Sequence, residues 1–399
     1  MAAATQTDRL PFNKHVLKWA RLRRGRTYEE AAKRASVTVD KIIEWENPYS
    51  SVVPTVRQAR LLAEEYSRPF LEFFADRIPD VQDVQAVPDF RLYADQSQMQ
   101  DKRVLIEAQA WAETQRLNAL DLYEILGDIP KHLPPTVYSS TQEAPEAAAS
   151  RIRIVTEFSL PDQLNLPKEE RDKIPQRLRS RLETLGILVF KEPSLKKAAA
   201  RGICVYFDVL PIIVFGSESP GAQFFTIAHE LAHIALRQSA ISGSSTDYRN
   251  KSPDAEIERW CNSFAASFVI PEHIVATAFP DRSSMPLASI DDGYLTRLAS
   301  FFGVSRHAML VRLVDLKYVN ADFYWSFKRP QFLQEEAQYE SFGRPKYYGS
   351  RYRSSRGDLY TGLVLEAWAT GRITNHNAAE FMEIGNLAHL EAIRAHFAD

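Results

Sequence analysis

The stretch GAQFFTIAHELAHIALRQ, residues 221–238, constrains this chain more than any other. It has no internal glycine or proline and reads as a buried helix that follows short apolar runs. Within it, His229-Glu230-Leu231-Ala232-His233 sets two histidines four residues apart. On a helix both imidazoles lie on one face and can reach a single ion.

Zinc accepts imidazole nitrogens at about 2.0–2.1 Å, and catalytic zinc sites typically combine three protein ligands with a water. A third ligand is therefore required. Residues 254–262, DAEIERWCN, offer Asp254, Glu256 and Glu258 on the next helical segment. Glu258 shares a helical face with Cys261, Asn262 and Ala265, whereas Glu256 shares one with Arg259 and Trp260, so Glu258 points with the small, buried side. Glu258 is the choice, with Glu256 as runner-up. Glu230, next to a ligand, is placed to act as general base on a zinc-activated water, and peptide hydrolysis is the reaction this arrangement suits. A further group must stabilise the tetrahedral oxyanion. Tyr248, Arg237 and His273 are candidates that spacing does not rank.

A chain of 399 residues exceeds one ordinary core, and the usual domain size suggests roughly two to four domains. Hydrophobic residues at 45% and charged residues at 25% exclude a fibrous or wholly disordered protein. The N-terminus lacks a basic segment followed by an apolar one, and no apolar run reaches about 18 residues, so neither secretion nor a membrane span is expected. The two cysteines, Cys204 and Cys261, fit a reducing compartment and a cytoplasmic protein. A net charge of -2 gives no global affinity for polyanions.

Residues 12–77 read as short helices, with a capping box at Thr27 and Glu30 and an N-cap at Thr38. The segments GILVFKE, GICVYFD and LPIIVFGSE predict a small sheet. Residues 291–317 repeat the two-helix pattern, with Gly303-Val304-Ser305 at the turn.

At this point the residues resemble the ImmA/IrrE family of zinc metallopeptidases over most of the chain. RGICVYFDVLPIIVFGSESPGAQFFTIAHELAHIAL looks like that family's strand, strand and HExxH helix, and EIERWCNSFAASFVIP looks like its third-ligand helix. The family pattern of a glutamate four residues before an asparagine falls on Glu258 and Asn262. Residues 13–76 resemble the XRE-type helix-turn-helix that often accompanies this peptidase, Asp89-Phe90-Arg91 resembles a short motif just after it, and LVLEAWATGRIT resembles the longer members. The resemblance implies zinc as cofactor and, as protein substrate, a helix-turn-helix repressor or an antitoxin in a stress-response, mobile-element or toxin-antitoxin system. The alternative is a DNA-binding regulator or toxin that uses the peptidase fold for sensing or partner binding.

DNA binding by the N-terminal module is weighed by its second helix, Thr38-Val39-Asp40-Lys41-Ile42-Ile43-Glu44. Its acidic residues face a polyanion, and it carries no Arg, Gln or Asn to read a base edge. Arg21, Arg23, Arg24, Arg26, Lys33 and Arg34 leave backbone contact open; the other reading is partner docking or homodimerisation. RPKYYGSRYRSSRG, residues 344–357, mixes Arg and Tyr and reads as a surface loop able to meet phosphates.

The expected fold is α+β: a mainly α-helical multidomain chain with an N-terminal helix-turn-helix bundle, a zincin-like peptidase core holding a small β-sheet, and a helical C-terminal domain. The divisions are 1–80 for the helix-turn-helix, 81–100 for a linker, 101–283 for the peptidase, 284–330 for a second helix-turn-helix-like module, 331–357 for a basic polar linker and 358–399 for the C-terminal helices.

Overall fold

In the computed structural model, residues 12–66, 68, 70–78, 99–243, 253–279, 286–339 and 347–397 are described. The chain divides into two units, residues 1–86 with 102–111 and residues 87–101 with 112–399.

The first unit holds α1 (Lys14–Arg23), α2 (Tyr28–Ala35), α3 (Val39–Glu46) and α4 (Val56–Tyr66). Thr27 and Glu30 form the reciprocal capping box of α2, while Thr38 occupies the N-cap position of α3 without a side-chain bond. Val16, Leu17, Ile42, Trp45, Leu62 and Tyr66 make a buried core at helical spacing. Arg21 meets Glu46 at 2.6 Å inside it, a pair that tolerates the loss of neither partner because the other charge would be stranded. Helix α5 (Met99–Leu126) continues from this unit into the second.

In the second unit, α6 (Pro145–Val155), α7 (Leu160–Leu164) and α8 (Ile174–Thr184) precede β1 (Leu188–Lys191), β2 (Ala200–Val205) and β3 (Ile212–Phe215). Then come α9 (Pro220–Ala235), β4 (Ala240–Gly243), α10 (Pro253–Val269), α11 (Glu272–Ala278), α12 (Asp292–Phe302) and α13 (Arg306–Asp315). The three apolar runs form the strands expected of them, and with β4 they make a mixed sheet in the order β1-β3-β2-β4. β1 and β3 are parallel, with Val189 opposite Ile213; β2 runs antiparallel to both its neighbours, with Ile203 opposite Val214 and Ile241. A bulge between Ala200 and Gly202 bends β2 where it meets the end of β4.

Helix α9 lies between this sheet and α8 and α10; eleven of the twelve residues from Phe224 to Ala235 are buried, and all of these but Thr226 are apolar or carry the HExxH chemistry. The carbonyls that end α10 are held by side chains from three other helices. Arg153 donates to Phe268 O at 2.5 Å, Gln163 to Val269 O at 2.8 Å and Arg312 to Ile270 O at 3.0 Å. These bonds satisfy acceptors that a buried helix end would leave orphaned, and they fix the helix that bears Glu258.

Beyond α13, α14 (Ala321–Phe323) passes through a π-helical turn, Tyr324–Lys328, into α15 (Arg329–Gln338). Helices α16 (Tyr348–Arg356), α17 (Asp358–Ala369), α18 (Asn375–Phe381) and α19 (Ala388–Phe397) complete the chain. The segment read as a polar linker, 331–357, thus contains most of α15 and all of α16, and the Arg- and Tyr-rich tract is helical from Tyr348. Arg179 of α8 anchors α16 by donating to Ser354 O at 2.6 Å and Ser355 O at 3.2 Å, while Glu183 accepts from Asp358 N at 2.8 Å. The unit is mostly helical with one small mixed sheet, in line with an α+β fold. Among the described residues, no helix is long and apolar enough to cross a membrane.

Candidate metal centre

His229 and His233 project from one face of α9, as the four-residue spacing requires, and their Nε2 atoms lie 3.2 Å apart. Glu258 comes to them from α10, with Oε2 3.5 Å from His229 Nε2 and Oε1 3.0 Å from His233 Nε2. A tetrahedral shell with ligand distances of about 2.0–2.1 Å has donor atoms about 3.3–3.4 Å apart. The 3.2 Å between the imidazoles is close to that edge and the carboxylate sets one oxygen near each ring, so two neutral nitrogens and one carboxylate could hold a metal here. Helix α10 buries Glu258 and leaves Asp254 and Glu256 exposed.

The same helix orients the imidazoles. Asn262 hydrogen-bonds His229, and Cys261 Sγ lies 3.6 Å from His233 Nδ1. Such outer contacts set ring orientation and ligand basicity. Burial alone would raise the Glu258 carboxyl, but the two imidazoles hold it well below the usual carboxylate range. Burial lowers His233, keeping it neutral. At His229 burial also opposes protonation, yet the Glu258 charge outweighs it and raises the ring, so a proton competes with a cation for that nitrogen.

Glu230 follows His229 on α9 and lies against Gly202 of β2. Its carboxylate is fully buried beside the Ser242 hydroxyl of β4. Burial pushes its carboxyl up to about 8, against the opposing pull of His229. A group of that kind is suited to take and return a proton near neutrality. Gly202 makes room for it, because a Cβ at that position would overlap Glu230 Oε1.

His229, Glu230 and Glu258 border a cavity of about 170 Å³ that Ser242 of β4 also lines. Its opposite wall comes from elements that local sequence reading did not connect to the site: His307 of α13, Tyr324 and Trp325 of the π turn, and Glu336 of α15. Gly221 at the start of α9 packs on the backbone of Val304 and Ser305, which brings the start of α13 to this wall. His307 Nδ1 is 2.8 Å from Glu336 Oε1, and its Nε2 is 2.9 Å from the Tyr324 hydroxyl. No spacing rule joins residues 230, 307, 324 and 336; only a histidine at the start of a helix downstream of the motif was visible as a signal. Of the groups considered for the oxyanion, Arg237 is exposed and stacked over Tyr138 at 4.1 Å, and His273 is exposed. Neither lines the cavity, and Tyr248 lies outside the described residues.

In the N-terminal unit the basic cluster is largely engaged. Arg21 pairs with Glu46, Arg26 reaches Glu65 at 2.8 Å and Glu107 at 2.7 Å, and Arg34 meets Glu64 at 2.6 Å. Arg23 lies over Trp19, whereas Ile43, Tyr49 and Val56 are exposed near or on α3 and α4. Lys18, Lys33 and Arg57 are exposed as well, so apolar and basic side chains share this surface.

No curated protein matches the chain. Residues 182–314 match the family model Peptidase_M78, described as an IrrE N-terminal-like domain. The matched segment runs from the end of α8 through the sheet, α9, α10 and most of α13, and so contains His229, Glu230, His233 and Glu258. That match supports kinship with the ImmA/IrrE family and a metallopeptidase-type function for this part of the chain.

Proposed function

We propose that this chain is a zinc-dependent endopeptidase acting on a regulatory protein, a helix-turn-helix repressor or an antitoxin. The observation that carries the reading is the meeting of His229, His233 and Glu258, close enough to share one ion, beside a buried Glu230. Bound zinc would polarise a carbonyl and lower the pKa of a water from 15.7 to about 7.

The protein's own residues supply the proton traffic. Glu230 takes a proton from the attacking water as the new carbon–oxygen bond forms and the carbonyl electron pair moves onto oxygen. When that pair returns and the carbon–nitrogen bond breaks, Glu230 gives the proton to the leaving amine. Asn262 and Cys261 keep the imidazoles aimed, and the surrounding apolar helices exclude bulk water, which strengthens each charge interaction. The N-terminal unit fits best as a module that docks the protein substrate, since Arg21, Arg26 and Arg34 are paired with acids and its exposed groups include Ile43, Tyr49 and Val56.

The test is digestion of a mixture of unstructured peptides and of helix-turn-helix proteins by the zinc-loaded chain, with fragments read by mass spectrometry. Cleavage that is lost in Glu230→Gln supports the reading. Equal cleavage by the variant, or none by either protein against any member of the mixture, speaks against it.

A further inference from the structure

The hydrolysis proposed above leaves one need unmet: a hydrogen-bond donor for the oxyanion. Several of the polar groups around the cavity are engaged elsewhere, and Ser242 lies against Glu230. Thr226 donates to Glu218 at 2.8 Å, Ser305 caps α13 through Ala308 N at 3.1 Å, and Asn262 is bonded to His229. Arg201 is held between Glu218, at 3.5 Å, and Glu336.

His307, Tyr324 and Glu336 differ from these in being arranged in series. Glu336 is kept ionised despite burial, because His307 and Arg201 hold its carboxyl below the usual range. An ionised carboxylate only accepts, so His307 Nδ1–H donates to it across 2.8 Å. Nε2, at the other end of the ring, then faces the Tyr324 oxygen at 2.9 Å. The ring cannot turn: Phe332 stacks on it at 5.2 Å between centroids and Tyr324 packs at 5.7 Å. Tyr324 is the first residue of the π turn Tyr324–Lys328, and only 7% of it is exposed. Such a turn inserts one residue into a helix and re-aims the side chains around it, a feature common at functional sites.

We propose that Glu336, His307 and Tyr324 form a relay whose phenol hydroxyl is the oxyanion donor of the peptidase, with His307 and Glu336 as positioning residues. The inference rests on the zinc-peptidase reading of the site. As negative charge develops on the carbonyl oxygen, the Tyr324 O–H turns from Nε2 to that oxygen. No proton leaves the relay and no covalent bond to hydrogen breaks. Packing holds the ring and the phenol in place before substrate arrives, so the hydroxyl rotation is the one rearrangement the relay requires, which limits its reorganisation cost. Tyr324 and Glu336 lie beyond residues 182–314, so the part of the chain that matches the peptidase family would be catalytically incomplete alone.

The experiment measures, by calorimetry on the zinc-loaded full chain, the affinity of a phosphinic tetra-alanine peptide and of its planar ketomethylene counterpart. The phosphinic group is tetrahedral and anionic, so the ratio of the two affinities reads oxyanion stabilisation, whereas a packing defect would weaken both alike. Tyr324→Phe should lower the ratio by about 100-fold with zinc content unchanged. His307→Gln and Glu336→Gln should lower it by about 10-fold each, as expected of groups that act through another residue. An unchanged ratio in Tyr324→Phe overturns the relay, as does a wild-type protein that holds zinc yet shows no preference for the phosphinic peptide. If the chain takes up no zinc at all, both the relay and the peptidase reading fall; if zinc binds and Glu230→Gln abolishes hydrolysis while Tyr324→Phe hydrolyses at the full rate, only the relay does.

Discussion

The carboxylate of Glu230 lies against the Cα of Gly202, close enough that any Cβ on β2 at that point would overlap it. Gly202 pairs with Ser242 across the edge of the sheet, beside the bulge in β2, so the strand and the helix are tuned to each other at one residue. Gly202→Ala should displace the Glu230 carboxylate and cost about 1–3 kcal/mol as overpacking in a close-packed interior. Peptide hydrolysis should fall while zinc content stays near one per chain, measured by elemental analysis alongside thermal denaturation. An active, equally stable variant would show that the contact does not matter.

Removing the Glu258 carboxylate tests the proposed metal centre. Glu258→Ala leaves His229 and His233 without the carboxylate that aligns them, so zinc content after dialysis should drop well below that of the wild type. Glu256→Ala, altering an exposed side chain of the same helix, should retain zinc fully. Equal zinc loss in both variants would place the ligand elsewhere.

Glu230 also links stability to pH. Its folded-state carboxyl is raised to about 8 by burial, well above the ordinary value of 4.5. The metal-free native state therefore binds more protons than the unfolded chain between those values, and the contribution to stability, complete below the unfolded pKa, is lost as pH rises through about 8. The melting temperature of the metal-free wild type should fall relative to that of Glu230→Gln between about pH 5 and about pH 9. Parallel curves would contradict a raised carboxyl at this position.

Zinc affinity should carry the opposite dependence. Glu258 favours the protonated form of His229, so zinc must displace that proton, and affinity should rise with pH across the histidine range. Competition with a chromogenic chelator at several pH values measures this directly; a flat profile would mean that His229 is not a ligand.

Arg179 provides a test away from the site. It is buried and donates to three consecutive carbonyls at the end of α16 while pairing with Glu183 at 3.2 Å. Arg179→Met strands a buried carboxylate and frees those acceptors, for an expected loss of about 3–5 kcal/mol. Urea denaturation should show it, with little change in zinc affinity.

The chemistry of His229, Glu230 and His233 was legible because helical geometry fixes it locally, within five residues. Glu258 could be read from the face it shares with Cys261 and Asn262, since burial follows helical periodicity. His307, Tyr324 and Glu336 were not legible as a group. Each sits on a different element, and what unites them is long-range packing, through Gly221 against Val304 and Phe332 against His307. Helices α15 and α16 were taken for a linker because their sequences, RPQFLQEEAQ and YGSRYRSSR, bury so few large apolar side chains, Phe332 and Tyr352 among them, that no clear apolar stripe emerges. Their stability comes from tertiary anchors such as Arg179 and Arg201, which periodicity does not register.

X-ray absorption at the zinc edge of the zinc-loaded protein bears most directly on the metal centre from which the rest of the chemistry follows. The expected spectrum has a four-coordinate nitrogen and oxygen shell at about 2.0–2.2 Å, with the outer scattering of two imidazoles and no sulfur. A zinc–sulfur distance of about 2.3 Å, bringing in Cys261, or a shell lacking imidazole scattering, would contradict a centre built from His229, His233 and Glu258.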